Sequence, residues 1–345
     1  MPKSWLIAPF LFASIAGCAK APTAADEVAR ARELAGEEFA ESLFICDPKS
    51  TRIADMLAQG VEPVGPAWAF DNLAYVGNSF VGVWVLKTAE GLILFDAGTS
   101  EGDARDNIVP GLEKLGLDPK TIRYIFVTHG HWDHYGGAAY LKELSGARIG
   151  LSKADWELMD RLEPGSMARA PYFGGDQEDR PPPPRDLVVA DGQKFRLGDS
   201  EVTLLVTPGH SPGTVSALIP VKQGGKTHVM SMLGGTAFPP TLEPEGFMGG
   251  LNQLEQSVER LQRLSEEAGA DGTINTHPFV DGSSRKLVEI AGAGKGAANP
   301  FVLGKDKVSR YYAMFLACVR AAKLRPPQAL GKPPMPSGSG DKGKQ

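Results

Sequence analysis

The feature that most constrains the fold is the stretch THGHWDHYGG at residues 128–137, which carries three of the chain's six histidines. It follows RYIFV (123–127), an apolar and β-branched run that is typical of a buried strand. In α/β proteins, functional residues collect where strands end. The sequence therefore predicts an α/β fold with a functional site at the end of this strand.

The spacing of these donors predicts a metal-binding turn. His129 and His131, two residues apart directly after a strand, can point to one side, while Asp133 and His134 on the following turn can face a neighbouring position. Imidazoles suit zinc better than magnesium or calcium, and a carboxylate supplies charge compensation. One such turn can serve two metal ions.

Two further histidines follow strand-like runs elsewhere in the chain. His210 lies in VTPGHSPGT after the run EVTLLV, and His277 lies in INTHPF after GTIN. A single histidine at a strand end is more often structural, but five such histidines together with Asp133 favour one shared site. His228 lies within a strand-like run, and we interpret it as an ordinary surface or core residue.

The chain resembles the metallo-β-lactamase superfamily over about residues 68–280. The H-x-H-x-D-H motif is matched in full at 129–134, and supporting matches are Asp96 in LILFDAGT, Thr128 before the first histidine, and Gly136-Gly137. The resemblance implies an αββα sandwich, in which two β-sheets pack between helices and the metals lie at the strand ends between the sheets.

The resemblance also implies a ligand set with two zinc ions per chain. The first zinc would be held by His129, His131 and His210, and the second by Asp133, His134 and His277. Asp133 would be the catalytic residue, because it would orient the zinc-bound hydroxide that attacks a carbonyl.

One difference from many relatives narrows the expected activity. Relatives such as glyoxalase II carry a further aspartate that bridges both metals, and here that place holds Gly234 and Gly235. The chain therefore most resembles the β-lactamase subclass with His/His/His and Asp/His/His sites. We expect a hydrolase that opens a cyclic amide; a lactonase or ester hydrolase with the same site, and a non-catalytic binding lipoprotein, remain alternatives.

The walls of the pocket are less well defined by the sequence. The Gly/Pro-dense loop at 163–185 and the loop with Glu243 and Glu245 are candidates, and Thr236 is the polar residue closest to the glycine pair. Four aromatic residues are possible substrate contacts, although each fits core packing equally well: Trp132, Tyr135, Tyr172 and Phe173.

The charge of the chain bears on its partners. A net charge of -5 and a pI near 5.8 supply no basic surface for nucleic acid, so we expect a small-molecule substrate and no nucleic acid partner. The oligomeric state is left open.

The first residues indicate export. MPKSWLIAPFLFASIAGC resembles a bacterial lipoprotein signal, with residues 1–17 removed and Cys18 lipidated; a plain secretory signal or a short uncleaved anchor is the alternative. We expect a periplasmic protein whose lipid anchor lies in the outer membrane. In that compartment Cys46 and Cys318 can form a disulfide, unless they are two unrelated buried thiols.

Composition divides the chain into segments. We expect an N-terminal tether and helix at 18–67, with the helix over 24–43 and a Pro/Gly-rich bridge at 60–68. The hydrolase domain follows at 68–290, with helices over 102–116, 136–145, 152–162 and 251–268. A C-terminal helical extension at 291–325, with Val308, Tyr311, Phe315 and Val319 on one core-facing side, precedes a disordered tail at 326–345.

Overall fold

A computed structural model of the chain describes residues 21–47, 49–161, 182–239, 244–294 and 296–325. The strands in these ranges are β1 (Pro63–Trp68), β2 (Leu73–Asn78), β3 (Gly82–Thr88), β4 (Gly91–Phe95), β5 (Ile122–Phe126), β6 (Arg148–Ser152), β7 (Leu187–Val189), β8 (Gln193–Leu197), β9 (Ser200–Val206), β10 (Val215–Gln223), β11 (Lys226–Met232) and β12 (Gly272–Ile274). The α-helices are α1 (Ala24–Ala35), α2 (Arg52–Gln59), α3 (Glu101–Asp103), α4 (Val109–Lys114), α5 (Trp132–Tyr135), α6 (Ala138–Ser145), α7 (Lys153–Arg161), α8 (Pro244–Glu267), α9 (Ser283–Gly292) and α10 (Lys305–Lys323).

The described strands form two sheets. The first has the order β1-β2-β3-β4-β5-β6-β7, antiparallel from β1 to β4 and parallel from β4 to β7. The second has the order β12-β11-β10-β9-β8 and is antiparallel except for the parallel pair β11 and β12. Strands β5, β9 and β12 each lead directly into a loop that carries candidate site residues.

Alternating side chains bury both faces of the first sheet. Tyr75 and Trp84 belong to the core shared with the second sheet, whereas their neighbours Val76 and Val83 pack in the core under α4, α6 and α7. A third core joins the second sheet to α1, α8 and α10. These three buried layers give the αββα sandwich that the family resemblance implies.

The N-terminal arm comprises α1, the 3-10 helix Ala40–Cys46 and α2. Helix α1 packs along α10, whose predicted core residues Val308, Tyr311, Phe315 and Val319 are all buried. Cys46, at the end of the 3-10 helix, forms a disulfide with Cys318 of α10, and their Cα atoms are 4.5 Å apart. This confirms the predicted pairing.

Three local predictions differ in detail from the structure. The helix expected over 24–43 ends at Ala35, because Gly36 adopts a φ of 53° and the chain continues into the 3-10 helix. The expected bridge at 60–68 contains β1, an edge strand that tolerates its two prolines. The helix expected over 102–116 is divided by a π-helical turn at Ala104–Ile108.

The signal segment with Cys18 and the tail at 326–345 lie outside the described residues, as do most of the 163–185 loop and Glu243. Among the residues that are described, no helix has the length and apolar character needed to cross a bilayer.

Candidate metal centre

The first group of donors forms where the loop after β5 meets the loop after β9. His129 and His131 come from the first loop and His210 from the second. The Nε2 atom of His210 lies 3.0 Å from Nε2 of His129 and 3.1 Å from Nδ1 of His131. We call these three residues the first triad.

The second group, the second triad, combines Asp133 and His134 of α5 with His277, which follows β12. The two Nε2 atoms of the histidines are 3.2 Å apart. Asp133 Oδ2 lies 3.5 Å from Nε2 of His134 and 3.7 Å from Nε2 of His277. The ring centroids of His129 and His134 are only 4.0 Å apart, so the two triads are adjacent.

Hydrogen bonds on the outer side of the rings set the orientation of four imidazoles. His129, His210 and His277 place Nδ1 against the backbone carbonyls of Gly234, Ala237 and Phe80, at 3.1, 3.0 and 2.7 Å. A carbonyl can only accept, so Nδ1–H donates in each ring and the Nε2 lone pair is free. His134 Nδ1 faces the carboxylate of Asp96 in the same way, at 2.6 Å.

These lone pairs converge within each triad, and burial opposes their protonation. Burial and neighbouring imidazoles hold the pKa of His129 well below its ordinary value, and burial lowers the pKa of His131 to about 4. Burial also lowers the pKa values of His210 and His277. Unprotonated ring nitrogens face one another at 3.0 to 3.2 Å and their lone pairs repel, so the arrangement suits a cation placed between them.

The pKa values of His134 and Asp133 shift against the effect of burial, because each side chain faces groups of the opposite charge. Burial alone would lower the pKa of His134, but the carboxylates of Asp133 and Asp96 raise it overall. Burial alone would raise the pKa of Asp133, but His134 and His277 lower it. The second triad therefore contains an ionised carboxylate, which a divalent cation would neutralise.

The donor set fits zinc. Zinc takes imidazole nitrogens at about 2.0 to 2.1 Å in tetrahedral geometry, and the donor atoms of each triad all lie within 4.8 Å of one another. A carbonyl or carboxylate acceptor behind most rings is the arrangement that fixes metal-bound histidines in proteins. Each triad supplies three donors, so a four-coordinate zinc ion would keep one position for water or substrate, as in catalytic zinc sites.

Comparison with known proteins identifies the family. The family model of the metallo-β-lactamase superfamily matches residues 76–223. A subclass B3 metallo-β-lactamase of Bradyrhizobium japonicum is 30% identical in sequence; the alignment covers 73% of this chain and 90% of that one, with a TM-score of 0.58. The chain belongs to the metallo-β-lactamase superfamily.

Other members of the superfamily are similar over different lengths. A metallo-β-lactamase of Cronobacter sakazakii is 29% identical, with 90% of its chain covered and a TM-score of 0.60. An N-acyl homoserine lactonase of Bacillus cereus is 26% identical over 76% of its length. A hydroxyacylglutathione hydrolase of Cereibacter sphaeroides is 32% identical, but only 40% of its length is matched.

Two glycines of this metallo-β-lactamase superfamily protein leave no space for a side chain beside the first triad. A Cβ atom on Gly235 would lie 2.6 Å from Cβ of His210, and one on Gly234 would lie 1.9 Å from the carbonyl oxygen of Val215. A carboxylate at either position would therefore displace His210 or the backbone of β10. The glycine pair is a structural requirement of this ligand arrangement.

Sequence reasoning missed Asp155, a fully buried carboxylate near the start of α7. It accepts hydrogen bonds from the backbone N–H of Gly130 at 2.9 Å and of Gly213 at 2.6 Å, and from Ser211 Oγ at 2.6 Å. Gly130 separates two histidines of the first triad, and Ser211 directly follows the third. Asp155 thus joins the two loops that carry the first triad.

The predicted pocket residues have mixed outcomes. Trp132 and Tyr135 are buried in the core under the first sheet, so they are packing residues and not substrate contacts. Tyr172 and Phe173 lie outside the described residues, while Glu245 is exposed at the start of α8. His228 lies on β11, away from both triads, with Nδ1 2.6 Å from Asp271.

Proposed function

We propose that this protein is a zinc-dependent hydrolase that opens a cyclic amide of the β-lactam type. The observation that carries the proposal is the set of six converging donors, which form two triads without a bridging carboxylate. The glycine pair beside them leaves no space for such a carboxylate. The pattern is the one that the sequence resemblance associates with β-lactamases and not with glyoxalase II.

We propose two zinc ions, one in each triad. Zinc bound there would polarise the substrate carbonyl and make water a nucleophile at neutral pH. His129, His131 and His210 would hold the first ion, and Asp133, His134 and His277 the second. Asp133 would also orient the attacking water, because its carboxylate is ionised and lies within 3.7 Å of both imidazoles of the second triad.

The extent of similarity supports a β-lactam substrate. The B3 enzyme of Bradyrhizobium japonicum is matched over 90% of its chain at 30% sequence identity. The loop after β9, which carries His210, lies within residues 76–223, the segment that matches the family model.

A lactonase is the second candidate, because a lactonase relative is matched over 76% of its length. Lactones and β-lactams are both cyclic acyl compounds, so the same residues serve either substrate. The deciding experiment measures turnover by metal-quantified protein on penicillins, cephalosporins, carbapenems, acyl homoserine lactones and a glutathione thioester. Faster turnover of lactones than of every β-lactam would replace the first proposal by the second.

We also propose that the protein is exported and anchored through a lipid on Cys18 in the periplasm. The lipoprotein-type signal in the sequence supports this, and a disulfide between Cys46 and Cys318 suits an oxidising compartment. The test is fractionation of cells that produce the full chain and its Cys18→Ser variant. Wild-type protein should sediment with membranes and the variant should not. Equal amounts of wild-type and variant protein in the soluble fractions of the two kinds of cell would contradict the proposal.

A further inference from the structure

We infer that the N-terminal arm positions His277 as a ligand of the second triad, through Ser42, Phe44 and Arg52. This inference rests on the proposed metal site but not on the identity of the substrate. The arm is distant in sequence from the histidine that it would hold, and it lies outside the segment that matches the family model.

His277 depends on the turn that follows it. Its ring is fixed by Phe80, whose carbonyl accepts from Nδ1 at 2.7 Å and whose ring meets the imidazole edge-on at 5.0 Å. The carbonyl oxygen of His277 accepts a hydrogen bond from Val280 N–H at 3.0 Å, which closes the turn from His277 to Val280. The position of this turn therefore sets where the imidazole points.

The arm contacts this turn at two successive residues. Ser42 Oγ donates to the carbonyl of Val280 at 2.6 Å in a buried hydrogen bond. Arg52 Nη2 donates to the carbonyl of Phe279 at 3.3 Å, and the ring of Phe44 packs on the ring of Phe279 at 5.7 Å. Phe279 in turn stacks on Phe80 at 6.2 Å.

The arm is itself held in place on both sides of these contacts. Arg52 donates to the backbone carbonyl of Glu41 at 3.0 Å, and its guanidinium lies over the ring of Phe44 at 5.4 Å. Cys46 fixes the end of the 3-10 helix to α10. Ser42, Phe44 and Arg52 therefore present a preorganised surface to the turn.

Loss of these contacts would leave two backbone carbonyls without their partners and one face of Phe279 uncovered. The turn would then sample other positions, and His277 would have to be ordered each time a metal binds. The loops of the first triad are joined instead by Asp155. We therefore expect the arm to affect the second metal and not the first.

The test is stepwise zinc binding to the full chain, measured by competition with a chromophoric chelator, for wild type, Ser42→Ala, Arg52→Met and the double variant. Ser265→Ala and Arg263→Met are the matched controls. Ser265 donates from a buried hydroxyl to the carbonyl of Leu261 on α8, and Arg263 forms an exposed ion pair with Glu267. Thermal unfolding of the metal-free proteins is recorded alongside.

We expect the double variant to weaken the second zinc about 10- to 100-fold, the range for residues that support metal ligands, with first-site affinity within about twofold of wild type. The controls should leave both affinities unchanged even where they lower thermal stability. Equal weakening of both sites, or no weakening of either, would overturn the inference. A wild-type chain that binds one zinc only would overturn both the inference and the dizinc proposal, whereas failure of the β-lactam panel would bear on the substrate alone.

Discussion

The carboxylate of Asp96 lies 2.6 Å from Nδ1 of His134, and both side chains are fully buried. Asp96 also accepts from the backbone N–H and the hydroxyl of Thr128, at 2.6 and 3.1 Å. It thereby connects the end of β4 to the start of the histidine-rich loop and orients a ring of the second triad. Its backbone has a positive φ of 68°, a conformation that aspartate and asparagine tolerate better than most residues.

Asp96→Asn should weaken zinc binding at the second triad by about 10- to 100-fold. Asparagine keeps the shape and tolerates the backbone conformation, but it removes the negative charge that holds the Nδ1 proton. Chelator competition measures the two affinities separately. An unchanged second affinity would show that Asp96 serves the fold and not the ligand.

Asp155→Asn should weaken the first triad instead. The amide has one oxygen where the carboxylate has two, so the hydrogen bonds to Gly130, Ser211 and Gly213 cannot all form. We expect about a tenfold loss of first-site affinity and little change at the second. Glu157→Gln, on the exposed face of the same helix, is the control and should change neither zinc affinity. A loss of zinc affinity at the second triad alone would contradict this prediction.

Gly235→Ala should displace the ring of His210, because the new Cβ would lie 2.6 Å from the Cβ of that residue. The expected result is at least tenfold lower hydrolysis and weaker first-site zinc binding with the fold retained. Gly249→Ala on α8 has open space around the new methyl group and is the control. Full activity of the Gly235 variant would mean that the glycine pair does not set the ligand geometry.

Cys318→Ser should lower the free energy of unfolding by about 2 to 5 kcal/mol, because the bond joins positions 272 residues apart. Since Cys46 ends the 3-10 helix that carries Ser42, the variant should also weaken the second zinc more than the first. Urea unfolding and chelator competition measure the two effects. The free thiol of Cys46 should be blocked with a small alkylating reagent, so that intermolecular disulfides do not form.

Much of the site follows from local sequence signals. Five histidines stand just after strand-like runs, and loops from neighbouring strand ends meet at one edge of a sandwich, so the six donors could be named without coordinates. The same reasoning could not find Asp155, because its partners are mostly backbone N–H groups, which leave no pattern in the sequence. An acidic residue three positions into the helix after β6 was the available signal.

The N-terminal arm was the hardest region to predict. Alanine, glutamate and arginine favour a helix throughout 24–43, and only the backbone of Gly36 and the packing of Cys46 against α10 end it early. Helix α2 was not predicted at all. It is held in place by contacts with a turn more than two hundred residues away in the sequence. Long-range packing of this kind overrides local propensity.

Substitutions of the donors themselves separate site residues from other polar residues. Asp133→Ala should reduce hydrolysis by orders of magnitude while the fold is retained, because it removes the only carboxylate of the two triads. His228→Ala should leave hydrolysis nearly unchanged, since His228 lies on β11 and pairs with Asp271, outside both triads. A large loss of activity in the His228 variant would place function outside the two triads.

Zinc content after reconstitution tests the central claim most directly. The account predicts two zinc ions per wild-type chain, one for each triad, and one per chain in each of the variants His210→Ala and His277→Ala. A wild-type chain that binds no zinc, or variants that retain both ions, would contradict it.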